Sequence, residues 1–326
     1  MNEVRSRNIE NIVEAVRRSR QFLVATHVRP DGDAAGSVLA LSFMLRSLGK
    51  KAQPYTRDPL PPSLEFLTGS GEILHEVPDP SLYEVAILVD CGDLERVGPE
   101  AAEHISRVPF LINIDHHVSK APFGNICWVE PTASSTCEML YDLSLHLPLS
   151  LDPDIASQLY TGLVTDTGSF RFSNTNQRVL EIATALVAAG ARPDVIAEQI
   201  YDSESPRRLL LLAQVLSTVA FSANDRVATA VLSQQMFQET DTTPMDSEGF
   251  INHLRSVKSV MLAMIFREDN EGVIHVSMRS KGSVDVAAFA QKHGGGGHRR
   301  AAAFRASGPL EAMRAALTAE ASSYLK

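Results

Sequence analysis

FLVATHVRPDGDAAGSVLALSFMLRSLG, residues 22–49, passes from an apolar run through a polar loop into a helical pattern. FLVAT (22–26) reads as a short buried strand. After Asp33, residues Val38, Leu41, Leu45 and Leu48 recur at helical spacing, and Gly49 stands where a C-terminal cap belongs. The unit is strand, loop and helix. EVAILVD (84–90) and FLINID (110–115) are further apolar runs, of the kind seen in parallel strands covered on both faces. Ser135 and Glu138 have capping-box spacing before a helical stretch to about Leu147, and Asp152 and Pro153 open another helix to about Thr165. This alternation predicts an α/β fold with a doubly wound, mostly parallel sheet.

Working outward, a helical pattern over about 177–189 ends at Gly190, and SESPRRLLLLAQVL (203–216) starts another with Ser205 as cap and Pro206 in its first turn. Beyond it RVATAVLS, SVMLAMIF and VIHVSMRS read as strands, while 283–292 and 309–323 read as helices. The expected organisation is a first domain over 1–192, a linker with a connecting helix over 193–224, and a smaller α+β domain over 225–326.

The chain has 326 residues, 44% hydrophobic and 21% charged, as in a soluble globular protein. MNEVRSRNIENIVEAVRRSR carries charge throughout without an apolar core, so no secretory signal is expected. No apolar run reaches the length of a membrane span, and the expected location is cytoplasmic. Cys91, Cys127 and Cys137 are odd in number and lack CxxC spacing, which favours neither a disulfide framework nor a zinc-thiolate site. A net charge of -9 argues against a broad surface for long nucleic acid, yet allows a small anion held by local cations.

Chemistry-bearing residues gather at the predicted strand ends. THVRPDGDAAGS (26–37) offers His27, Asp31 and Asp33, although taken alone it reads as a Pro-Asp-Gly turn with Asp33 capping the helix. In VDCGDLERVG (89–98), Asp90 ends a strand; Asp115, His116 and His117 follow FLINI; Asp166 lies in TGLVTDTGSFRF. Carboxylates and imidazoles recurring at the ends of three strands would repel one another unless cations or protons neutralise them. Mixed His/Asp donors suit Mn²⁺, Zn²⁺ or Fe²⁺, and the oxygen-rich balance favours Mn²⁺. A two-metal site accounts for the four clusters better than four unrelated caps.

HVRPDGDAAGS, VDCGD, IDHH and LVTDTGSF, in that order, resemble the four motifs of the DHH phosphoesterase family, and GGGGHRRAAAF (294–304) resembles the signature of its DHHA1 domain. Within the family the chain is most similar to the nanoRNase and 3'-phosphoadenosine-5'-phosphate (pAp) phosphatase group. The resemblance implies that His27, Asp31 and Asp90 hold one Mn²⁺, and that Asp33, Asp90, His116 and Asp166 hold the other, with Asp90 bridging. It casts Asp115 as the partner that orients the histidines and His117 as a contact to substrate phosphate. Asp90, Asp115 and His117 are thus the expected catalytic set. Two ions about 3.5 to 4 Å apart would activate a water and stabilise an in-line displacement at phosphorus, with Mg²⁺, Co²⁺ or Fe²⁺ as substitutes.

The second domain is expected to recognise substrate through Gly295, Gly296, Gly297 and His298, with Arg279 and Lys281 of SMRSKGS clamping a phosphate. Arg171 in GSFRF is a further candidate. Ala303 stands where family members often carry Gly. The implied substrates are short oligonucleotides and pAp, in a cleft between domains that limits length, and the resemblance allows a homodimer. A phosphodiesterase for cyclic di-AMP or its linear product is the alternative; a non-catalytic nucleotide or RNA-binding module is the alternative of another class.

Overall fold

The computed structural model describes residues 3–117, 122–269 and 271–325, with the side chains of Glu3 and His298 outside the description. The chain forms two compact units, Met1–Ser203 and Glu204–Lys326.

The first unit runs α1 (Glu3–Arg18), β1 (Gln21–Ala25), α2 (Gly32–Ser47), β2 (Lys51–Tyr55), β3 (Val85–Val89), α3 (Pro99–Ile105), β4 (Phe110–Asp115), β5 (Ile126–Val129), α4 (Thr136–Ser144), α5 (Pro153–Asp166), α6 (Gln177–Ala188) and α7 (Pro193–Tyr201). Its five strands are all parallel, in the order β2-β1-β3-β4-β5. Strand order reverses between β1 and β3, and open α/β sheets take ligands outside the carboxyl ends of strands at such a switch point. Side chains alternate across β3: Val85, Ile87 and Val89 join the core beneath α1, α2, α4 and α5, while Ala86 and Leu88 join Val97, Ala101 and Ile105 on the α3 side. Both faces of the sheet are therefore covered, as the continuous apolar runs require.

Helix α2 is buried nearly all round, because α4 and α5 pack on it as well as the sheet. Small residues permit that approach. A Cβ on Gly36 would stand 2.4 Å from the Gln158 carbonyl oxygen, and one on Gly162 would stand 2.2 Å from Cys137 Sγ and 2.6 Å from Asp33 Oδ1.

The helix starts follow from their caps. Asp31, rather than Asp33, caps α2, its carboxylate accepting from the amides of Asp33 and Ala34. Ser135 caps α4 through the Glu138 amide, but the Glu138 carboxylate accepts from the Ser134 amide and hydroxyl instead of closing a capping box. Helix α4 stops at Ser144, short of Leu147. The sequence patterns leave α1, α3, α7, β2 and β5 unread.

The second unit runs α8 (Pro206–Ser217), β6 (Ala220–Ser222), β7 (Val227–Leu232), α9 (Gln234–Thr240), α10 (Ile251–Ser256), β8 (Leu262–Glu268), β9 (Val273–Ser280), α11 (Val286–Lys292), β10 (Gly296–His298), β11 (Ala301–Ser307) and α12 (Leu310–Tyr324). Its mixed sheet has the order β10-β11-β9-β8-β7-β6, with only β7 and β8 parallel. The glycine run is not wholly loop: Gly296 to His298 form an edge strand paired with Ala301 to Ala303. No helix among the described residues is long and apolar enough to cross a membrane.

Candidate metal centre

Three strand ends and two helices of the first unit bring the clustered acids and histidines together. His27 follows β1, and Asp31 and Asp33 open α2; Asp90 follows β3; Asp115 ends β4, with His116 and His117 just beyond; Asp166 ends α5. Their donor atoms form three groups, each with all atoms within 4.8 Å: His27, Asp31 and Asp90; Asp33, His116 and Asp166; and Asp90, His116 and His117. Asp90 belongs to two groups and His116 to two, so the groups are one continuous cluster.

Asp90 lies at its centre. Its Oδ2 is 3.4 Å from His27 Nε2, and its Oδ1 is 3.5 Å from His116 Nε2 and 3.4 Å from His117 Nδ1. The backbone of Asp90 is left-handed, with φ of 56°, a conformation that costs energy in a non-glycine residue and that Asp tolerates better than most. His116 Nε2 also stands 3.3 Å from Asp166 Oδ2 and 3.8 Å from Asp33 Oδ2.

The surrounding hydrogen bonds orient these groups. His27 Nδ1 lies 2.9 Å from the Val28 carbonyl oxygen and donates to it, so Nε2 is the nitrogen facing Asp90. Asp115 is fully buried and accepts from His117 Nδ1 at 2.8 Å. Asp33 is held by two amides in the first turn of α4: Thr136 N–H to Oδ2 at 2.6 Å and Cys137 N–H to Oδ1 at 2.9 Å. The Asn174 amide group donates to the Ser134 and Asp166 carbonyls, tying the turn after α5 to the loop before α4. Gly168, Ser169 and Phe170 in that turn are all left-handed, and Arg171 donates from Nε to the Gly168 carbonyl.

Burial, followed by the crowding of carboxylates, shifts the acids of the cluster. Burial, then the charge of Asp90, pushes the Asp33 carboxyl up to about 7. Burial, then Asp33, Asp90 and Asp31, pushes Asp166 up to about 10. Burial also works to raise Asp90, but the hydrogen bond from His27 and the charges of His117 and His116 hold it well below the usual carboxylate range. Burial works to lower His27 and His117, and Asp90 and Asp115 respectively outweigh it, so both imidazoles are raised. All of these shifts except that of Asp90 favour the protonated form, which lowers the repulsion among the carboxylates. The donor set fits divalent cations: buried carboxylates and imidazoles converge, several are oriented from behind, and their mutual repulsion is what bound cations relieve.

Thr136, Cys137 and Asn174 are the site contributors that sequence reasoning missed. The cap Ser135 was visible, and the exposed amides of a helix's first turn are a general anion-binding feature, so Thr136 and Cys137 had a readable signal.

The substrate candidates of the second unit form a separate group. Register places His298 opposite Ala301 and Ala301 opposite Arg279, so the three backbones lie side by side in β10, β11 and β9; the His298 side chain is outside the described residues. Arg279 is half-buried, and burial, followed by repulsion from Arg255, lowers its pKa. Lys281 instead donates from Nζ to the Val257 carbonyl at 2.6 Å, at the C-terminal end of α10. A Cβ on Gly295 would stand 2.2 Å from the Ala303 carbonyl oxygen, and Gly297 has φ of 140°, so both positions require glycine; Gly296 has open space. Ala303 is exposed on β11, opposite Gly296 and Ser277.

Residues 21–163 match the DHH family, N-terminal domain, and residues 224–326 match the DHHA1 domain. The chain is 36% identical to a bifunctional oligoribonuclease and PAP phosphatase NrnA from Thermus thermophilus, over 90% of this chain and 90% of that protein. It is 30% identical to the protein of the same name from Bacillus subtilis, over 85% and 86%. Among solved structures it resembles an exopolyphosphatase-related protein from Bacteroides fragilis, with a TM-score of 0.91, 29% identity, and coverage of 97% of this chain and 95% of that one.

Proposed function

The chain belongs to the DHH family, and from that premise we propose that it is a two-cation phosphoesterase that cleaves short oligoribonucleotides to mononucleotides and converts pAp to AMP. The observation that carries this reading is the continuous cluster in which Asp90 joins His27 and Asp31 on one side to His116 on the other, with Asp33 and Asp166 beyond. The names of the relatives in Thermus thermophilus and Bacillus subtilis support the substrate assignment.

His27, Asp31 and Asp90 would hold one cation, and Asp33, Asp90, His116 and Asp166 the other. Mn²⁺ is the proposed ion, because imidazole and carboxylate are mixed with oxygen in excess. When bound, such a pair activates water and neutralises charge on the phosphoryl group. The chain's own residues do the rest. Asp115 fixes the His117 ring through Nδ1, and His117 is proposed to stabilise charge on the phosphoryl oxygens or protonate the leaving oxygen. Recognition of the remainder of the substrate is assigned to the second unit, through Arg279, His298 and the backbone of Gly295 to Gly297, with Arg171 as a contributor from the first. A cytoplasmic location belongs to the same proposal, as does a homodimeric state, which rests on the family resemblance.

The test is a product assay in Mn²⁺ with equal concentrations of 5'-phosphorylated diadenylate, pAp and cyclic di-AMP, using His116→Ala as control. Mononucleotide from the linear dimer and AMP from pAp, both absent in the variant, are expected. Fastest consumption of cyclic di-AMP would move the protein to the signalling phosphodiesterases. Binding without turnover of any substrate would make it a nucleotide-binding module.

A further inference from the structure

The first turn of α4 meets the cluster at three points, and one residue makes two of them. Thr136, fully buried, donates its N–H to Asp33 and its hydroxyl to Asp90 Oδ1 at 3.1 Å. Asp33 is grouped with His116 and Asp166, whereas Asp90 is grouped with His27 and Asp31 and also with His116 and His117. Thr136 therefore holds the shared carboxylate, Asp90, and a carboxylate of one side, Asp33, from one residue.

Three further observations give the link its meaning. Thr136 is the first residue of α4, so its hydroxyl is not drawn into the back-bonding seen at Thr165 and Thr167, whose hydroxyls donate to carbonyls four residues earlier. The hydroxyl sits on a β-branched side chain with few rotamers, fixed in the first turn of α4 directly behind the Ser135 cap. Among the described contacts of the Asp90 carboxylate, the histidine nitrogens stand at 3.4 to 3.5 Å, and the Thr136 hydroxyl is nearer.

We infer that Thr136 is a positioning residue that sets the rotation of the Asp90 carboxylate relative to Asp33, and with it the spacing at which one carboxylate serves two cations. This rests on the two-cation reading given above. A hydroxyl donated to Asp90 Oδ1 leaves the carboxylate one preferred plane, and the paired amides do the same for Asp33.

The deciding experiment compares Thr136→Val, which keeps the shape and removes the donor, with Thr136→Ser, which restores the donor; neither alters the amides that hold Asp33. Mn²⁺ binding is followed by calorimetry, and the loaded proteins by low-temperature electron paramagnetic resonance. The valine variant should bind its second ion about 10- to 100-fold more weakly, the range for partners that orient metal ligands. Its spectrum should lose the spin coupling of an ion pair, and serine should recover both. Two ions bound by the valine variant at wild-type affinity, with coupling intact, would overturn the inference. So would a lowered melting temperature with both ion readouts unchanged, since that describes packing alone. If wild-type protein itself takes up only one ion, the two-cation reading fails, and the role of Thr136 fails with it. Should valine prevent folding, Thr136→Ala in the same titration gives the same decision.

Discussion

His27 Nε2 lies 3.4 Å from Asp90 Oδ2 while its Nδ1 is tied 2.9 Å away to the Val28 carbonyl, so the ring is fixed with one chosen nitrogen toward the shared carboxylate. That nitrogen and the shared carboxylate are the donors that would face a bound cation. Asp90 reaches both sides of the centre, and its removal should affect both ions. Asp90→Ala is expected to reduce Mn²⁺ stoichiometry and to lower kcat by at least about 100-fold, the upper end for outer partners of metal ligands. Retention of two ions and full activity by this variant would contradict the bridging role.

Stability against pH offers an independent check. Asp33, raised to about 7, and Asp166, raised to about 10, are joined by the raised imidazoles of His27 and His117. A group whose folded pKa exceeds its unfolded value contributes stability that is complete below the unfolded pKa and is lost as pH rises through the folded one. All four therefore lose their contribution as pH rises. Asp90, held low, acts in the opposite sense, but its contribution is lost only as pH falls below the ordinary carboxylate range. Metal-free protein should melt at progressively lower temperature from about pH 5 to about pH 9. Saturating Mn²⁺ should raise the melting temperature more at the alkaline end, where fewer protons neutralise the cluster. A flat profile, or a larger metal effect in acid, would count against the site.

Gly162→Ala tests the packing beneath Asp33. The added Cβ would stand 2.6 Å from Asp33 Oδ1 and 2.2 Å from Cys137 Sγ, so α5 must move away from α2 or α4. Overpacking of this kind costs about 1 to 3 kcal/mol. The variant should show that loss in denaturant titration together with weakened Mn²⁺ binding, whereas unchanged stability would mean that the helices separate freely.

His117 separates two roles by one measurement. Its Nδ1 is bound to Asp115, yet it also falls in a donor group with Asp90 and His116. As an acid or phosphate contact, His117→Gln should lower kcat about 10²- to 10⁴-fold with metal stoichiometry unchanged. Loss of an ion in that variant would make His117 a ligand instead.

In the second unit, Arg279 and Lys281 should behave differently. Arg279→Ala is expected to raise KM about 10-fold or more, as for a lost hydrogen bond to a charged group, with little change in kcat. Lys281 caps the end of α10 through Val257, so Lys281→Ala should lower the melting temperature and leave KM unchanged. Equal effects on KM would indicate that both cations face the substrate.

Much of the fold was legible because β1, β3 and β4 are largely buried and carry apolar runs, broken in β4 only by Asn113. Strand β2 was not, since KAQPY holds a proline and no apolar run, and β5 has only four residues. Helix α7 lay behind Pro193, which reads equally as a break or a first turn. The Gly296 to His298 strand was unreadable from pattern, because three residues with two glycines carry no alternation. The clustered acids and histidines were visible as residues at strand ends. Their exchange of caps was not: Asp31 rather than Asp33 caps α2, which releases Asp33 to the amides of α4 from a hundred residues further along the chain.

The most direct measurement is anomalous diffraction at the manganese edge from crystals of the Mn²⁺-loaded protein. Two peaks about 3.5 to 4 Å apart, both within bonding distance of Asp90 and divided between His27 with Asp31 and His116 with Asp33 and Asp166, are the expected result. A single peak, or a pair that does not share Asp90, would contradict the account.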